Sequence, residues 1–232
     1  MTTAHVEPAL QAESASRVFQ TGVGEVHACT DINLEVRPGE LVVVRGKSGS
    51  GKTTLLNLLG GLDRPTSGTV RIGGTDVATL GDTELSQLRR DRIGYVFQTF
   101  GLVPVLSAAE NVELPLRITG TAPKERDDRV ARLLELVGLS EHAAQRPYEL
   151  SGGQQQRVGI ARALVGDPDI LIADEPTGQL DSRTAAAMMD LIAGVVESRG
   201  IAAVISTHDP LLVERAHTVV ELHDGRITAQ VH

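Results

Sequence analysis

The sequence has one cysteine, Cys29, among its 232 residues, and no tryptophan. A single cysteine excludes an internal disulfide and any metal site built from clustered cysteines. Aromatic residues make up only 2% of the chain, too few for a surface on which nucleic-acid bases stack. Acidic residues outnumber basic ones by 30 to 22, which gives a formal net charge of −8. Because binding to a phosphate backbone needs excess positive charge, we expect no nucleic-acid partner.

Long hydrophobic runs are also missing. The longest ones, such as residues 41–44 and 201–205, have the length of a strand and fall far short of a membrane span. The first twenty residues carry Glu7, Glu13 and Arg17 and no apolar core segment, so they do not resemble a secretory signal. We therefore expect a soluble, intracellular chain, and any membrane-spanning part would belong to another subunit.

Short apolar runs alternate with helical patterns along most of the chain. Residues 41–44, 170–173 and 201–205 are continuously apolar, as is typical of strands covered on both faces. Between the last two, apolar residues from Met188 to Val196 recur with the spacing of one helix face. This alternation predicts an α/β fold with a parallel sheet.

Two regions depart from this pattern. Residues 26–36 and 69–72 are punctuated by glycine and proline and predict antiparallel strands, and the first dozen residues predict a loose tail. Residues 99–148 show only helical patterns, which predicts a helical subdomain inserted into the core. We thus predict one domain over residues 1–232, with a catalytic core at 12–98 and 149–232 and the helical subdomain at 99–148.

The clearest motif is a glycine-rich loop that follows the first buried strand and precedes a helix. Its sequence, GKSGSGKT at 46–53, fits the pattern of a phosphate-binding loop in the strand–loop–helix context that this motif requires. Backbone N–H groups and the helix N-terminus would surround phosphate oxygens. Lys52 would reach the outer phosphates, and Thr53 would bind Mg²⁺.

Paired carboxylates end a second buried strand. Asp174 lies at the tip of strand 170–173 and is placed to help bind Mg²⁺, while Glu175 is placed to act as a general base toward water. Alone, such a pair is more often a solvated strand end. Together with the phosphate loop, it favours a catalytic site.

A third motif, Ser-Gly-Gly-Gln at 151–154, precedes a predicted helix at 154–165. Ser151 suits a helix N-cap, and the two glycines leave N–H groups open to an anion. LSGGQQQR at 150–157, followed by ILIADEPTGQLD at 170–181, resembles the signature of the ATP-binding-cassette (ABC) ATPases. The resemblance covers nearly the whole chain.

The resemblance implies a P-loop core with a parallel sheet, an antiparallel β subdomain and an inserted α-helical subdomain. It implies ATP and Mg²⁺ as ligands and a second copy of the chain, whose signature completes each ATP site. Phe19 would stack on adenine, Gln98 would sense Mg²⁺ and the attacking water, and His208 would contact the γ-phosphate. One departure is Gln179, where close relatives usually carry asparagine or alanine.

The predicted site residues fall into three groups. The catalytic group comprises Lys52, Gln98, Glu175 and His208. The metal ligands are Thr53, Gln98 and Asp174. The nucleotide-binding group comprises Phe19, Gly46, Lys47, Ser48, Gly49, Ser50, Gly51, Lys52, Thr53, Thr54, Ser151, Gly152, Gly153, Gln154 and Asp181.

Residues 101–116 resemble ATPases of the macrolide-exporter and lipoprotein-releasing group. This implies a hydrolase at the cytoplasmic face of the cell membrane that drives a permease supplied by another chain. Cell-division and peptide-antibiotic resistance or sensing ATPases look similar here, and a non-transport P-loop ATPase is a further alternative. The apolar residues Leu102, Val103, Val105 and Leu106 either receive a helix of the permease or close the core of the helical subdomain.

Several other ATPase classes fit poorly. A chromosome-structure ATPase would separate its motifs by a long coiled coil, an excision-repair ATPase would carry zinc-binding cysteines, and a translation ATPase would carry two cassettes. A small-molecule kinase would leave Ser151 and His208 without a role.

Overall fold

The computed structural model describes residues 7–22, 24–178 and 180–231. This part of the chain forms two sheets and several helices. The strands are β1 (Leu10–Thr21), β2 (Gly24–Val36), β3 (Leu41–Arg45), β4 (Ser67–Ile72), β5 (Thr75–Asp76), β6 (Ile93–Val96), β7 (Ile170–Asp174), β8 (Ala202–Ser206), β9 (Thr218–His223) and β10 (Arg226–Val231). The helices are α1 (Lys52–Leu59), α2 (Asp82–Arg92), α3 (Ala108–Ile118), α4 (Pro123–Leu136), α5 (Gly152–Leu164), α6 (Ser182–Arg199) and α7 (Pro210–Arg215).

The central sheet has the order β10-β9-β3-β8-β7-β6. Five strands run parallel, and β10 pairs antiparallel with β9 at one edge. Because side chains alternate across a strand, Leu171 and Ala173 face one apolar core, and Ile170 and Ile172 face the other. Both faces of β7 are therefore buried, as its continuous apolar run predicted. The carboxyl ends of β3, β7 and β8 lie along the same edge.

The second sheet is antiparallel, with the order β2-β1-β4-β5, and it shares one apolar core with α1 and one face of the central sheet. The prediction of a loose tail over the first dozen residues was wrong from residue 10 onward. Leu10 is fully buried and pairs with Val36 and Ile72, because β1 is the inner strand between β2 and β4. Residues 1–6 of that tail lie outside the described part.

Residues 99–148 contain α3, α4 and two short 3₁₀ turns, at Ser140–His142 and Pro147–Glu149, and no strand. Both helices pack against α5, so the group of α3, α4 and α5, here called the helical layer, extends beyond residue 148. The helical layer covers the face of the central sheet opposite α1. The subdomain boundaries themselves stay a prediction. Among the described helices, none combines the length and the apolar composition that crossing a bilayer requires.

Candidate active site

The phosphate loop joins β3 to α1 at the carboxyl edge of the central sheet. Gly51 precedes α1 with φ of +102°, and a Cβ there would overlap the carbonyl oxygen of Ala28, so only glycine fits. The loop closes over Lys52, whose side chain is only 9% exposed and whose Nζ donates a hydrogen bond to the Gly46 carbonyl at 2.6 Å. The side-chain oxygen of Ser50 is buried and has no hydrogen-bond partner among the described residues.

Asp174 ends β7 and receives a hydroxyl hydrogen bond on each carboxylate oxygen. Thr53 Oγ1 donates to Oδ2 at 2.8 Å, and Ser206 Oγ donates to Oδ1 at 2.5 Å. Ser206 is fully buried on β8, where it lies opposite Asp174 in the parallel register. Sequence reasoning missed Ser206. Its only sequence signal is a polar residue at the end of an apolar strand, two positions before His208.

Glu175 follows Asp174 with a left-handed backbone, at φ of +44°. Its N–H donates to both the side-chain and the main-chain oxygen of Ser206, at 2.9 and 3.0 Å. The carboxylate Oε1 lies 3.7 Å from Lys52 Nζ and 3.3 Å from His208 Nε2. Non-glycine residues in this conformation are uncommon and persist where the surroundings enforce them, often at functional sites. Here the two hydrogen bonds to Ser206 hold Glu175 in this conformation.

These groups face one open cavity of about 630 Å³, a size typical of small-molecule sites. It lies at the carboxyl edge of the parallel strands, where ligands bind in open α/β sheets. Among the predicted site residues, those that line it are Ser48, Gly49, Ser50, Gly51, Lys52, Thr53, Thr54, Gln98, Asp174, Glu175 and His208. Residues not predicted also line it: Val26, His27, Ala28, Gly178, Asp224 and Gly225.

The remaining predicted residues are not among those that line the cavity. Gly46 and Lys47 contribute carbonyl oxygens to Lys52 from within the loop. The Phe19 ring is covered by the Arg17 guanidinium, whose Cζ lies 4.4 Å from the ring centroid, and Phe19 pairs across the strands with Val26, which does line the cavity.

The signature segment caps a helix and lies outside the cavity lining. Ser151 Oγ accepts from the N–H of Gln154 at 3.3 Å, and Gln154 Oε1 accepts from the N–H of Ser151 at 2.8 Å, which is a complete capping box at the start of α5. Gly152 begins that helix, and a Cβ on Gly153 would lie 3.1 Å from Thr184.

Asp181 caps α6 and also lies outside the cavity lining. Its carboxylate accepts from Thr184 Oγ1 at 2.6 Å and from two backbone N–H groups. These hydrogen bonds, led by the one from the Thr184 hydroxyl, lower the pKa of Asp181. Gln179, which precedes it by two positions, lies outside the described residues.

The side chains and backbone groups at this cavity fit the two expected ligands, Mg²⁺ and ATP. The hydroxyl of Thr53, the carboxylate of Asp174 and the amide of Gln98 are hard oxygen ligands of the kind that Mg²⁺ prefers. The ammonium of Lys52, the buried hydroxyl of Ser50 and the N-terminus of α1 suit phosphate oxygens.

Fold and site together define a P-loop ATPase of the cassette type. A sequence profile described as "ABC transporter" matches residues 29–178. The chain therefore belongs to the ABC transporter family, and the predicted fold class and ATPase class are confirmed at this level.

Two relatives that are similar in sequence are also named as ATP-binding proteins. The ABC transporter ATP-binding protein YtrE of Bacillus subtilis is 49% identical over 201 residues, which is 87% of either chain. The macrolide export ATP-binding/permease protein MacB 1/2 of Paracoccus denitrificans is 47% identical over 225 residues, covering 96% of this chain and 33% of the relative. The chain thus spans about a third of the length of the MacB relatives.

Solved structures agree with the fold. The ATP-binding cassette MJ0796, seen as a dimer in a post-hydrolysis state with ADP and Pi, has a TM-score of 0.91 and 40% identity, covering 96% of this chain and 97% of that one. CbiO1 from Clostridium perfringens, part of the transporter complex CbiONQ, has a TM-score of 0.86 and 29% identity, covering 97% and 88% of the two chains.

Proposed function

We propose that this chain binds and hydrolyses ATP with Mg²⁺ at the cavity described above, and that two copies drive a membrane permease from its cytoplasmic face. The observation that carries the proposal is the meeting of four groups in one cavity. Lys52, the adjacent pair Asp174 and Glu175, and His208 come from three separate segments of the chain and converge there through short contacts.

Each side chain has a distinct chemical task in this proposal. Lys52 gives up its contact with the Gly46 carbonyl and donates to β- and γ-phosphate oxygens, which stabilises charge on the transferring group. Magnesium, held through Thr53, Asp174 and Gln98, would neutralise phosphate charge. Glu175 accepts the proton of the attacking water at its carboxylate, and His208, 3.3 Å away, orients that carboxylate and contacts the γ-phosphate.

The shared site is supported by the position of the signature. Ser151 to Gln154 are not among the residues that line the cavity, although their capped helix start suits an anion. A second copy, related by a two-fold axis, would supply this segment to the nucleotide of the first, and both sites would form together. The MJ0796 cassette, to which this chain is similar, has been solved as a dimer.

A docking surface for the permease is supported by the loop before α3. Asn111 is fully buried and binds this loop at both ends, accepting from the Val103 N–H at 2.8 Å and donating to the carbonyls of Val103, Leu106 and Ser107. The loop is therefore held rigidly while Val105 is 72% exposed. Leu102 instead packs against the core, so in this proposal only the exposed part of the run would receive a helix of the permease.

The test is the substitution Glu175→Gln, measured as Mg²⁺-dependent phosphate release and as ATP binding. We expect hydrolysis to fall by about 10²–10⁴-fold because the general base is lost. ATP binding should survive, since Lys52 and the phosphate loop are unchanged. Glu175→Gln should also accumulate as an ATP-dependent dimer in gel filtration.

The matched control is Glu221→Gln, which makes the same change at a carboxylate that pairs with Arg45 on the same sheet. It should hydrolyse ATP like the wild type. Hydrolysis by Glu175→Gln at the wild-type rate would refute the base assignment, and equal dimerisation with and without ATP would refute the shared site.

A further inference from the structure

The loop that carries Gln98 is bound by a side chain from the helical layer. We call residues 97–101 the Gln98 loop. Arg162, in the last turn of α5, donates from Nη1 to the Gly101 carbonyl at 2.6 Å and from Nη2 to the Phe100 carbonyl at 3.1 Å. A guanidinium presents its N–H groups in a rigid planar fork, so one arginine binds both carbonyls at once.

The backbone of the Gln98 loop is shaped to make this contact. Phe100 and Gly101 both have positive φ, +36° and +58°, which is rare for a bulky residue such as phenylalanine. Gly159 of α5 faces the loop, and a Cβ there would come within 3.5 Å of the Phe100 carbonyl oxygen. Both carbonyls that Arg162 binds therefore belong to residues with a left-handed backbone.

The guanidinium that makes this contact is partly withdrawn from solvent. Arg162 is half-buried, and burial lowers the pKa of its guanidinium without removing its charge. A partly desolvated charge that lost both carbonyl partners would be left without compensation. We therefore expect the Gln98 loop to follow α5 when α5 moves.

The other end of the loop is anchored to the phosphate loop's helix. The Phe97 ring stacks on Tyr95 with centroids 4.5 Å apart, and the Tyr95 hydroxyl donates to Asn57 Oδ1 of α1 at 3.0 Å. The Gln98 loop thus connects two helices. One of them, α1, begins at the phosphate loop, and the other, α5, is capped at its start by Ser151.

We propose that Arg162 is a positioning residue that ties the placement of Gln98 to the orientation of α5. Through its two carbonyl contacts Arg162 holds the backbone of the Gln98 loop, so that the amide of Gln98 lies at the cavity. This inference rests on the ATPase function proposed above, and it assigns to Arg162 the link between α5 and the Gln98 amide.

A double-mutant cycle tests the link. We compare steady-state ATP hydrolysis of the wild type, Arg162→Ala, Gln98→Ala and the double variant. Arg162→Ala should lower kcat by about 10–100-fold, because a small misplacement of a positioning group costs that much. The KM for ATP should change little, and more Mg²⁺ should be needed for half-maximal rate. In the Gln98→Ala background, Arg162→Ala should lower kcat less than about twofold, because both substitutions act through the amide of Gln98.

The matched control is Arg89→Ala. Arg89 of α2 also binds a loop carbonyl, that of Gly61 at 2.7 Å, but it lies on a helix other than α5 and binds a loop other than the Gln98 loop. It should lose thermal stability by an amount similar to Arg162→Ala and keep kcat and the Mg²⁺ requirement. If Arg162→Ala does not fold, Arg162→Lys and Arg162→Gln replace it in the cycle, since each retains a donor for one carbonyl.

The proposal is overturned if Arg162→Ala lowers kcat by the same factor in the wild type and in Gln98→Ala. It is also overturned if Arg162→Ala changes kcat and the Mg²⁺ requirement no more than Arg89→Ala does. Hydrogen exchange of residues 97–101 provides a second measurement that needs no turnover. Exchange there should accelerate in Arg162→Ala and not in Arg89→Ala. If the wild type does not hydrolyse ATP, the proposed function fails, while unchanged exchange refutes the link by itself.

Discussion

Ser206→Ala removes a single oxygen that contacts both Asp174 and Glu175. Ser206 Oγ donates to Asp174 and accepts from the Glu175 N–H, and its side chain is fully buried. The Glu175 N–H keeps its second partner, the Ser206 carbonyl at 3.0 Å, so no donor is left unpaired. The main loss is therefore one hydrogen bond to a buried carboxylate.

A hydrogen bond to a charged group contributes about 1.5–3 kcal/mol to stability. For a chain of this size, the corresponding fall in Tm is roughly 3–12 °C. Asp174 also loses one of the two hydroxyls that orient it for Mg²⁺. Losing such an outer partner of a metal ligand typically weakens metal binding by about 10–100-fold.

Two assays measure these losses. Because the chain has no tryptophan, urea unfolding is followed by far-UV circular dichroism, and the Mg²⁺ requirement is read from phosphate release. Ser198→Ala is the matched control, because its hydroxyl donates to the Gly194 carbonyl at 2.6 Å on the exposed side of α6. That control should stay within about 0.5 kcal/mol of the wild type. An unfolding midpoint and Mg²⁺ requirement for Ser206→Ala equal to those of the wild type would refute the reasoning.

Three further substitutions test other parts of the site. Lys52→Ala should weaken ATP binding roughly 10-fold or more in calorimetry, because in the proposed mechanism the ammonium binds phosphate in the ground state. The exposed Lys124→Ala should not weaken it, and normal affinity in Lys52→Ala contradicts the proposed role. Val105→Glu should leave stability and basal hydrolysis unchanged and uncouple ATP hydrolysis from the permease. Leu102→Glu, at a side chain packed on the core, should instead lower the Tm. A lowered Tm in Val105→Glu would mean that Val105 closes the core. Ser48→Cys with Ser151→Cys in a Glu175→Gln background should give an ATP-dependent disulfide dimer on a non-reducing gel, because that bond needs Cα atoms within about 7 Å. Cys29 can stay in place, since burial raises its pKa to about 12 and its thiol should react at pH 8 only after unfolding. A bridge within one chain, or equal dimer without ATP, excludes the shared site.

Much of the site could be read from the sequence because its parts are encoded locally. The glycines of residues 46–51 set the turn, and Lys52 and Thr53 begin the helix wherever the loop lies in space. Ser151 and Gln154 cap α5 through bonds that span three residues. The buried strands were visible for the same reason, since burial on both faces leaves a continuous apolar run.

The N-terminal strand could not be predicted in this way. Residues 10–21 form an inner strand of an antiparallel sheet with several register irregularities, and polar side chains interrupt its alternation. Such a strand shows no regular alternation of apolar and polar residues along the sequence. Leu10 is buried because its side chain faces the apolar core that this sheet shares with α1 and the central sheet.

Contacts between distant segments depended on the tertiary structure alone. Ser206 meets Asp174 because β8 lies beside β7, an order that the chain sequence does not specify. Arg162 reaches the carbonyls of residues 100 and 101 because α5 packs beneath the loop after β6. Asn111, likewise, is fully buried only because the loop before α3 folds back onto it.

The sequence by itself determined the motifs that define the family and the strand–loop–helix context of the phosphate loop, and it supplied the side chains proposed for catalysis. The tertiary structure decided which of these share one cavity and which point elsewhere: Glu175 and His208 meet Lys52, while Ser151 and Asp181 cap helices away from it. The physical reason is the distance along the chain between the residues that interact. Turns and caps are set by bonds between near neighbours along the chain, whereas the cavity is set by strand order and by the packing of helices onto the sheet.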